Sequence, residues 1–156
     1  MKSVFFYDYP IGILGIAEDS GAICRVFFGG EQVPAGFDTL ETPAIRQAAV
    51  QLTEYFEGRR TDFDLPLVLR GTEFQMSVWK ALQTIPAGET RSYKDIAVMV
   101  GNPRASRAVG MANHRNPIAI IIPCHRVIGH NGDLTGYGGG LSIKQYLLEM
   151  EKAYLV

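Results

Sequence analysis

The sequence predicts an α+β fold: a small N-terminal antiparallel sheet with a covering helix, joined to a mainly helical C-terminal domain that contains a helix-turn-helix. Three observations predict this arrangement. Apolar segments rich in β-branched and aromatic residues, divided by turn residues, fill the first 28 positions. An amphipathic helix pattern follows them, and three short helix patterns come in quick succession after residue 70. We therefore expect two domains, residues 1–70 and residues 71–156.

The N-terminal domain is expected to be a three-stranded meander with a helix on one face. The strands are predicted at residues 4–9, 11–18 and 22–28, with a further strand at 65–69. Thr42 as N-cap and Pro43 at the first helical position predict a helix that ends at Gly58. Its apolar residues recur at helical spacing: Ile45, Ala48, Ala49, Leu52, Tyr55 and Phe56. Cys24 lies in the third strand and is expected to be a packing residue.

Three short helices are predicted at the start of the C-terminal domain. Thr72 and Gln75 have the spacing of a capping box for the first helix. Ser92 caps the second helix, and Gly101 supplies the left-handed residue at its exit. The third helix is predicted to run to about Asn113. Two helices joined by a tight turn with a glycine are typical of a helix-turn-helix, whose second helix normally contacts nucleic acid.

The composition of the third helix favours contact with DNA. Small residues would let it approach a groove closely: Ala105, Ser106, Ala108, Gly110 and Ala112. Arg104 and Arg107 share one face, and Gly110 costs the helix about 1 kcal/mol relative to alanine. Residues 1–69 carry five basic and ten acidic side chains, whereas residues 70–156 carry ten basic and six acidic. A helix pair in an ordinary core, with a mixed solvated surface, stays open as the alternative.

The composition indicates a soluble protein that folds without disulfides. A chain of 156 residues with 47% hydrophobic side chains can bury a sufficient core. Neither an apolar segment of about eighteen residues nor a basic-then-apolar leader is present. The two cysteines form no disulfide framework, and no zinc ligand set is visible. We expect a cytoplasmic protein with reduced thiols and no membrane contact.

Cys124 and His125 are the main candidates for chemistry. They follow the apolar run 118–122, so a nucleophile and a base would lie at the end of a buried strand. A thiol reacts as its thiolate, and an ordinary pKa of about 8.5 leaves it mostly protonated at neutral pH. His125 could act as the base and Arg126 as an activating cation. The same pair also occurs in ordinary cores, so these residues alone do not decide the function.

Two later segments could complete such a site. Residues 136–140 are rich in glycine and are either a flexible surface loop or a lid whose backbone N–H groups approach a flat ligand. The last helix is predicted from Ser142 to about Ala153, with Lys144 and Glu151 on one face. Both charges would ordinarily be solvated. If the face turns toward the thiol, Glu151 could orient the imidazole while Lys144 reaches the reaction centre.

From Thr72 to Glu151 the chain resembles the O6-alkylguanine-DNA alkyltransferases, also called methylated-DNA–protein-cysteine methyltransferases. Short motifs carry the resemblance: Ile85, Pro86 and Gly88; Ser92 and Tyr93; Gly101, Asn102 and Pro103; Arg107 to Gly110; Asn116 and Pro117; Ile122 to Val127; and Tyr137 to Lys144. The N-terminal third matches only loosely, as the small sheet-and-helix domain expected there. The resemblance implies an enzyme of DNA repair that removes alkyl groups by direct reversal, once per protein molecule.

The resemblance also implies roles for five side chains. Cys124 would take the alkyl group from O6 of a damaged guanine and keep it. Glu151 would orient His125, which removes the thiol proton through a water. Tyr93, assisted by Lys144, would donate a proton to guanine N3.

The substrate pocket is implied to consist mainly of backbone groups. The N–H of Gly138 would bind O6, and the carbonyls of Cys124 and Val127 would accept from the exocyclic amine of the base. Tyr137 and Gly139 would complete the pocket. A serine is common in the family at the position of Gly138, so we expect a wider pocket that also admits O4-alkylthymine.

The implied partner is double-stranded DNA that contains O6-alkylguanine, bound through its minor groove without sequence specificity. The target base would be flipped into the pocket, and Arg107 would fill its place in the duplex. The implied DNA contacts are Ser106, Arg107, Ala108, Gly110 and Tyr93. Asn116 would brace the link between the DNA-binding helix and the active-site strand. A monomer is expected.

No cofactor is expected, and no zinc, because the N-terminal domain lacks the extra cysteines and histidines of the metal-bearing branch of the family. Three other functions are compatible with parts of the sequence: a non-catalytic protein that recognises alkylated DNA, a transcription factor or adaptive-response regulator, and a cysteine hydrolase. The presence of Cys124 disfavours the first, and the absence of a further regulatory domain disfavours the regulator. The helix pair would be unexplained in a hydrolase. The resemblance assigns no catalytic part to Arg126.

Overall fold

The structure is a computed structural model that describes residues 1–29, 33–130, 132, 134, 136, 137 and 139–154. The chain divides into two compact units. The N-terminal unit comprises Met1–Leu69 and Pro117–Ala119, and the C-terminal unit comprises Arg70–Asn116 and Ile120–Val156. As separate domains, residues 1–70 and 71–156 stay a prediction. The helices of the described part are all too short or too polar to cross a membrane.

The N-terminal unit is a four-stranded sheet with one helix. Its elements are β1 (Lys2–Tyr9), β2 (Gly12–Asp19), β3 (Ala22–Phe28), β4 (Asp38–Thr39) and α1 (Pro43–Phe56). The strand order is β3-β2-β1-β4, in which the first three strands form the predicted antiparallel meander. β4 is an added edge strand that runs parallel to β1 and that the sequence pattern did not reveal. A two-residue strand has no alternation to detect, which explains the omission.

The segments 65–69 and 117–119 lie along β3. The strand predicted at 65–69 is reduced to one parallel bridge between Leu67 and Ile23. Residues 117–119 bond β3 through Val26, whose N–H donates to the Pro117 carbonyl at 3.0 Å and whose carbonyl accepts from the Ala119 N–H at 3.1 Å. Because this segment is bonded to β3, it groups with the N-terminal unit although it follows the helix pair in sequence.

Helix α1 begins where its capping residues predict. The Thr42 hydroxyl accepts from the Ile45 N–H, and Pro43 occupies the first turn, where a missing N–H costs nothing. The predicted apolar face is buried, with Ile45, Ala48 and Leu52 fully inaccessible.

The C-terminal unit contains four helices and a two-stranded parallel pair. Its elements are α2 (Glu73–Leu82), β5 (Arg91–Ser92), α3 (Tyr93–Met99), α4 (Ser106–His114), β6 (Val127–Ile128) and α5 (Leu141–Tyr154), with a 3₁₀ turn at Cys124–Arg126. Capping boxes begin α2 at Thr72 and α3 at Ser92. Helices α3 and α4 form the predicted helix pair, and the indole of Trp79 on α2 donates to the Ala112 carbonyl on α4 at 2.8 Å.

Ile120 has a left-handed backbone, with φ of 72°, four residues before the candidate nucleophile. A β-branched residue in this region is strained by about 1–3 kcal/mol. The side chain is 1% exposed, so burial of its apolar surface offsets the strain. The chain therefore turns at Ile120 and enters the segment that carries Cys124.

The capping box of α2 yields a test of local stability. In the box, the Thr72 hydroxyl accepts from the Gln75 N–H at 3.1 Å, and the Gln75 side chain accepts from the Thr72 N–H at 3.0 Å. We expect Thr72→Ala to lower the free energy of unfolding by about 1 kcal/mol, because the helix loses a cap. Thr72→Ser keeps the hydroxyl and should stay close to the wild type. Denaturant titration followed by circular dichroism makes the comparison, and equal losses in both variants would contradict it.

Candidate active site

Cys124 lies in a buried 3₁₀ turn at the end of an apolar segment. All residues from Ile118 to Val127 are buried, and Cys124 is 6% exposed. Its N–H donates to the Ile122 carbonyl at 2.8 Å, and the Arg126 N–H donates to the Pro123 carbonyl at 3.0 Å. These backbone bonds form a tight turn that fixes the direction of the thiol.

The buried carboxylate of Glu151 connects α5 to this turn. Glu151 Oε2 lies 2.7 Å from His125 Nε2 and accepts from Arg126 Nη2 at 2.8 Å. Its other oxygen accepts from Arg126 Nε at 2.9 Å. The same guanidinium donates from Nη1 to the Ile85 carbonyl at 2.6 Å. The residues alone suggested Arg126 as a cation that activates the thiol, and the resemblance left it no catalytic part. In the structure its guanidinium instead donates two hydrogen bonds to the Glu151 carboxylate.

The electrostatics of this group make His125 a neutral base. Burial raises the pKa of Glu151, but the hydrogen bonds and charges of His125 and Arg126 outweigh burial and hold it well below its ordinary value. Burial lowers the pKa of His125, which the neighbouring Glu151 only partly offsets. The ionised carboxylate can only accept, so Nε2 carries the proton of the imidazole. His125 Nδ1 is buried with no hydrogen-bond partner among the described residues, and its lone pair is therefore available to accept a proton.

Cys124 is held as a protonated thiol that needs help to ionise. Burial raises its pKa above the ordinary value. A hydrogen bond from Asn116, the charge of Lys144 and the backbone N–H groups of Cys124 and His125 act in the opposite direction but do not cancel the effect of burial. A base next to the thiol is therefore required for the reaction at neutral pH.

Lys144 is a fully buried cation near the thiol. Its Nζ donates to the Val127 carbonyl at 2.6 Å. Burial lowers the pKa of Lys144 to about 8, and the negative charge of a Cys124 thiolate opposes that change. The ammonium group is thus still mostly charged at neutral pH, and it favours the thiolate. The face of α5 that carries Lys144 and Glu151 turns inward, so of the two alternatives for these charges the structure shows the buried one.

Two amide side chains hold the segment before the thiol. Asn116 Nδ2 donates to the Ile122 carbonyl at 2.7 Å, and its bracing role between the DNA-binding helix and this segment stays a prediction. Asn113 Nδ2 donates to the Cys124 carbonyl at 3.2 Å, and this residue was missed by the sequence analysis. The signal that could have found it is a polar residue on the inward face of α4, beside Val109 and Ala112.

The predicted DNA-contact residues lie on or beside α4. Arg107 and Ala108 are exposed and Ser106 is half-buried. A Cβ at Gly110 would come no closer than 3.9 Å to any side chain of the protein, where it would meet the ring of Tyr93. Tyr93 therefore lies beneath the glycine of α4. Met111, which the sequence analysis did not single out, is 56% exposed on the same helix.

The pocket residues are only partly described. Tyr137 meets the His125 ring edge to face, with ring centres 6.5 Å apart. Burial raises the pKa of the Tyr137 phenol well above 10, and the charges of Cys124 and Glu151 add to the effect, so the phenol is neutral. Val127 begins β6, and Gly139 lies in a turn. The predicted contact Gly138 lies outside the described residues.

No group of three or more histidine, cysteine or acidic side chains that could hold a metal ion is found within the described ranges. The titratable groups around the thiol are instead bonded to one another and to backbone carbonyls. Their arrangement places a base, His125, next to the thiol in the same turn.

Comparison with known proteins places both halves of the chain. Residues 73–153 match the family described as "6-O-methylguanine DNA methyltransferase, DNA binding domain", and residues 5–69 match the one described as "6-O-methylguanine DNA methyltransferase, ribonuclease-like domain". The chain is 52% identical over 153 residues to a methylated-DNA–protein-cysteine methyltransferase of Methanosarcina barkeri, covering 94% of this chain and 97% of the relative. It is 50% identical over 152 residues to a constitutive one of Bacillus subtilis, covering 93% and 92%.

Solved structures have the same fold. The crystal structure of Mycobacterium tuberculosis OGT in complex with DNA matches with a TM-score of 0.92 at 49% identity, covering 97% of this chain and 94% of that chain. The O6-methylguanine methyltransferase of the same organism matches with a TM-score of 0.91 at 48% identity, covering 99% and 94%. These matches confirm the α+β fold class.

Acid should unfold the protein through the group around Glu151. The folded-state pKa values of His125 and Glu151 are both lowered, so the unfolded chain binds more protons in acid. We expect the free energy of unfolding to decrease as the pH falls, first below the ordinary pKa of histidine, about 6.5, and then below that of glutamate, about 4.3. Denaturant titrations at pH values from 8 to 4 measure this dependence.

Glu151→Gln isolates the contribution of the carboxylate. The variant leaves the buried Arg126 guanidinium without its counter-ion, which costs about 3–5 kcal/mol at neutral pH. Its stability should also depend less on pH below 5. Glu149→Gln on the exposed side of the same helix is the matched control and should change neither value by more than about 0.5 kcal/mol. A Glu151→Gln variant as stable as this control would refute the structural role of the carboxylate.

Proposed function

The chain belongs to the methylated-DNA–protein-cysteine methyltransferase family, and from this premise we propose that it repairs DNA by direct reversal, with Cys124 as the acceptor of the alkyl group. The methyl or other alkyl group would move from O6 of an alkylated guanine to the sulfur and stay there. The observation that carries the proposal is the buried hydrogen bond between Glu151 and His125, the residue that follows Cys124 in the same turn. Because the product is a stable thioether, each molecule acts once.

The chemical step is an in-line displacement. His125 Nδ1, whose lone pair is available, takes the thiol proton through a bridging water while Glu151 stabilises the imidazolium that forms. The new bond joins Cys124 Sγ to the alkyl carbon, and the bond from that carbon to O6 breaks. The guanine that leaves carries a negative charge, and Tyr93 donates a proton to its N3. Lys144 assists Tyr93 by stabilising the phenolate that this transfer leaves. The imidazolium then loses its proton to solvent and Tyr93 takes one up from solvent, so that both side chains return to their neutral forms.

Lys144 supports the thiolate as well as Tyr93. A buried ammonium group close to the sulfur stabilises the negative charge that appears when the proton leaves. The bond from Lys144 to the Val127 carbonyl holds the ammonium in place without neutralising it. His125 and Lys144 therefore both favour ionisation of the Cys124 thiol. His125 accepts the proton, and the charge of Lys144 stabilises the thiolate.

The base is proposed to enter a pocket bounded by the turn and the glycine-rich segment. The carbonyls of Cys124 and Val127 would accept from the exocyclic amine, and the rings of Tyr137 and His125 would form one wall. Gly139, and Gly138 outside the described residues, would contribute backbone groups that approach O6. Glycine rather than serine at position 138 would give a wider pocket, and we propose that it also admits bulkier alkyl groups and O4-alkylthymine.

DNA is proposed to contact α4 through the minor groove without sequence preference. The exposed Arg107 would fill the place of the flipped base, while Ser106, Ala108, Gly110 and Tyr93 would contact the backbone or the flipped nucleotide. A relative of similar fold has been crystallised in complex with DNA. We further propose that the protein acts as a monomer in the cytoplasm.

Mass spectrometry of the Cys124 peptide tests the proposed reaction. The protein is mixed with duplex DNA that contains one O6-methylguanine and is then digested. We expect the mass of one added methyl group on the Cys124 peptide, absent in Cys124→Ser and absent from the Cys24 peptide of the same digest. DNA that binds while the thiol stays unmodified would identify a recognition-only protein, and turnover of esters would identify a hydrolase.

Substitution of Gly110 by alanine distinguishes an effect on DNA affinity from an effect on protein stability. The protein has room for a Cβ at this position, and alanine is a better helix former than glycine by about 1 kcal/mol. Gly110→Ala should therefore raise the free energy of unfolding by up to that amount. If α4 approaches DNA closely, the added methyl should weaken affinity for duplex DNA about tenfold. Denaturant titration and fluorescence anisotropy at fixed salt measure the two effects, and an unchanged DNA affinity would exclude close approach at Gly110.

A further inference from the structure

Asn113 is buried on the inner face of α4, the helix proposed to contact DNA. The residue is 4% exposed, and its amide donates to the carbonyl of Cys124, eleven positions later in the chain. Asn116, three positions further on, donates in the same way to the Ile122 carbonyl. Together these two side chains hold the backbone on both sides of Pro123.

Two hydrogen bonds within the protein restrain the Cys124 carbonyl. It accepts from the Val127 N–H, which closes the 3₁₀ turn, and from Asn113 Nδ2. The two donors come from different elements, so together they fix the direction of the carbonyl. The direction of the carbonyl in turn fixes the backbone of Cys124 and the N–H groups that face the sulfur.

The position of Asn113 is costly for stability. Its Oδ1 is buried and has no hydrogen-bond partner among the residues that the structure describes. An unpartnered buried acceptor destabilises a protein, and leucine would form helix more readily at this position. Packing alone would therefore favour an apolar side chain, as at its neighbours Val109 and Ala112. Within the part of the chain that the structure describes, the contact that distinguishes asparagine from an apolar residue here is its bond to the Cys124 carbonyl.

We propose that Asn113 is a positioning residue for alkyl transfer, which holds the turn of Cys124 from the DNA-binding helix and so presents the thiol to the alkyl carbon. The proposal rests on the proposed function for its reaction. The sulfur must lie in line with the bond that breaks, and a displacement of about 1 Å can cost about 100-fold in rate. The bond also makes α4 and the reactive turn move as one body.

Three variants test the positioning role. Asn113→Leu removes the donor and keeps the volume, and Asn113→Asp keeps the shape but replaces the donor by a carboxylate that repels the carbonyl. Gln83→Leu is the matched control, because it removes an amide-to-carbonyl bond, to Trp79, at an exposed site of the same unit. For each variant, we would measure the second-order rate with free O6-methylguanine base, the rate with alkylated duplex DNA, and the affinity for unmodified duplex DNA.

We expect Asn113→Leu to slow both reactions by about 10-fold to 100-fold. DNA affinity should stay within about twofold of the wild type, because the outer face of α4 is unchanged. Asn113→Asp should be slowed at least as much, and the control should match the wild type. Wild-type rates in both Asn113 variants would overturn the proposal. So would a loss of DNA affinity with an unchanged rate on the free base, because Asn113 would then only shape the helix.

The pH dependence of thiol reactivity gives a readout that a merely structural role would not move. The rate of Cys124 carboxamidomethylation by iodoacetamide is followed from pH 6 to 10. The groups that act on the sulfur are the Lys144 ammonium on α5, the Tyr137 phenol, the Asn116 amide and the backbone N–H groups of the turn. Glu151 and Arg126 lie behind the His125 ring and are bonded to each other. With these unchanged, Asn113→Leu should shift the midpoint of the rate profile upward, because the backbone N–H groups that stabilise the thiolate are no longer fixed. An unchanged midpoint in both Asn113 variants would count against the proposal.

The iodoacetamide measurement separates the two hypotheses. It requires no alkylated base, so it tests Asn113 even if the wild-type protein fails to react with O6-methylguanine. Failure of the wild type with both alkylated substrates would overturn the proposed function alone. If Asn113→Leu does not fold, as judged by circular dichroism, the isosteric Asn113→Asp decides the question with the same measurements.

Discussion

The buried carboxylate of Glu151 is the interaction on which the C-terminal unit depends. It accepts from one ring nitrogen of His125 and from two nitrogens of Arg126, and the same guanidinium reaches the backbone carbonyl of Ile85 after α2. One anion thus joins three parts of the chain that lie far apart in sequence. A buried ion pair adds little net stability when complete, but removal of one partner is strongly unfavourable. The group therefore specifies one arrangement of α5 against the reactive turn more than it stabilises it.

Burial also keeps the Cys124 thiol in its protonated, unreactive form. A buried, protonated Cys124 resists adventitious oxidation and alkylation, because the thiolate is the reactive species. In the proposed reaction the protein reacts only once, and such protection keeps its thiol for the substrate. The same proposal has His125 and Lys144 ionise the sulfur when an alkyl carbon is close. A permanently ionised thiol would react faster with every electrophile, and the molecule would be consumed without repair.

The sequence predicted the helices and strands and offered Lys144 and Glu151 as site residues if their helix face turned inward. It did not predict the hydrogen bonds that complete the site. The capping boxes that begin at Thr72 and Ser92 predict helix starts, because each box lies within four consecutive residues. The face shared by Lys144 and Glu151 follows from helical spacing alone, and only its direction required the structure. The bonds of Arg126 to Glu151 and of Asn113 to Cys124 could not be found in this way. The bonded partners lie 25 and 11 residues apart, and a contact between distant segments leaves no periodic pattern in either segment.

The outer and inner faces of α4 carry different kinds of side chain, and this difference explains why the helix combines small residues, an arginine and a buried asparagine. The outer face combines Arg107 with small residues, which suits approach to a polyanion. The inner face carries Asn113, which donates to the Cys124 carbonyl, and the carbonyl of Ala112, which accepts from the indole of Trp79. The exposed Arg107 and the buried Asn113 lie six positions apart on this one helix. The side chains proposed to contact DNA and the bond that restrains the Cys124 backbone are therefore held by the same element, so a shift of α4 would change both.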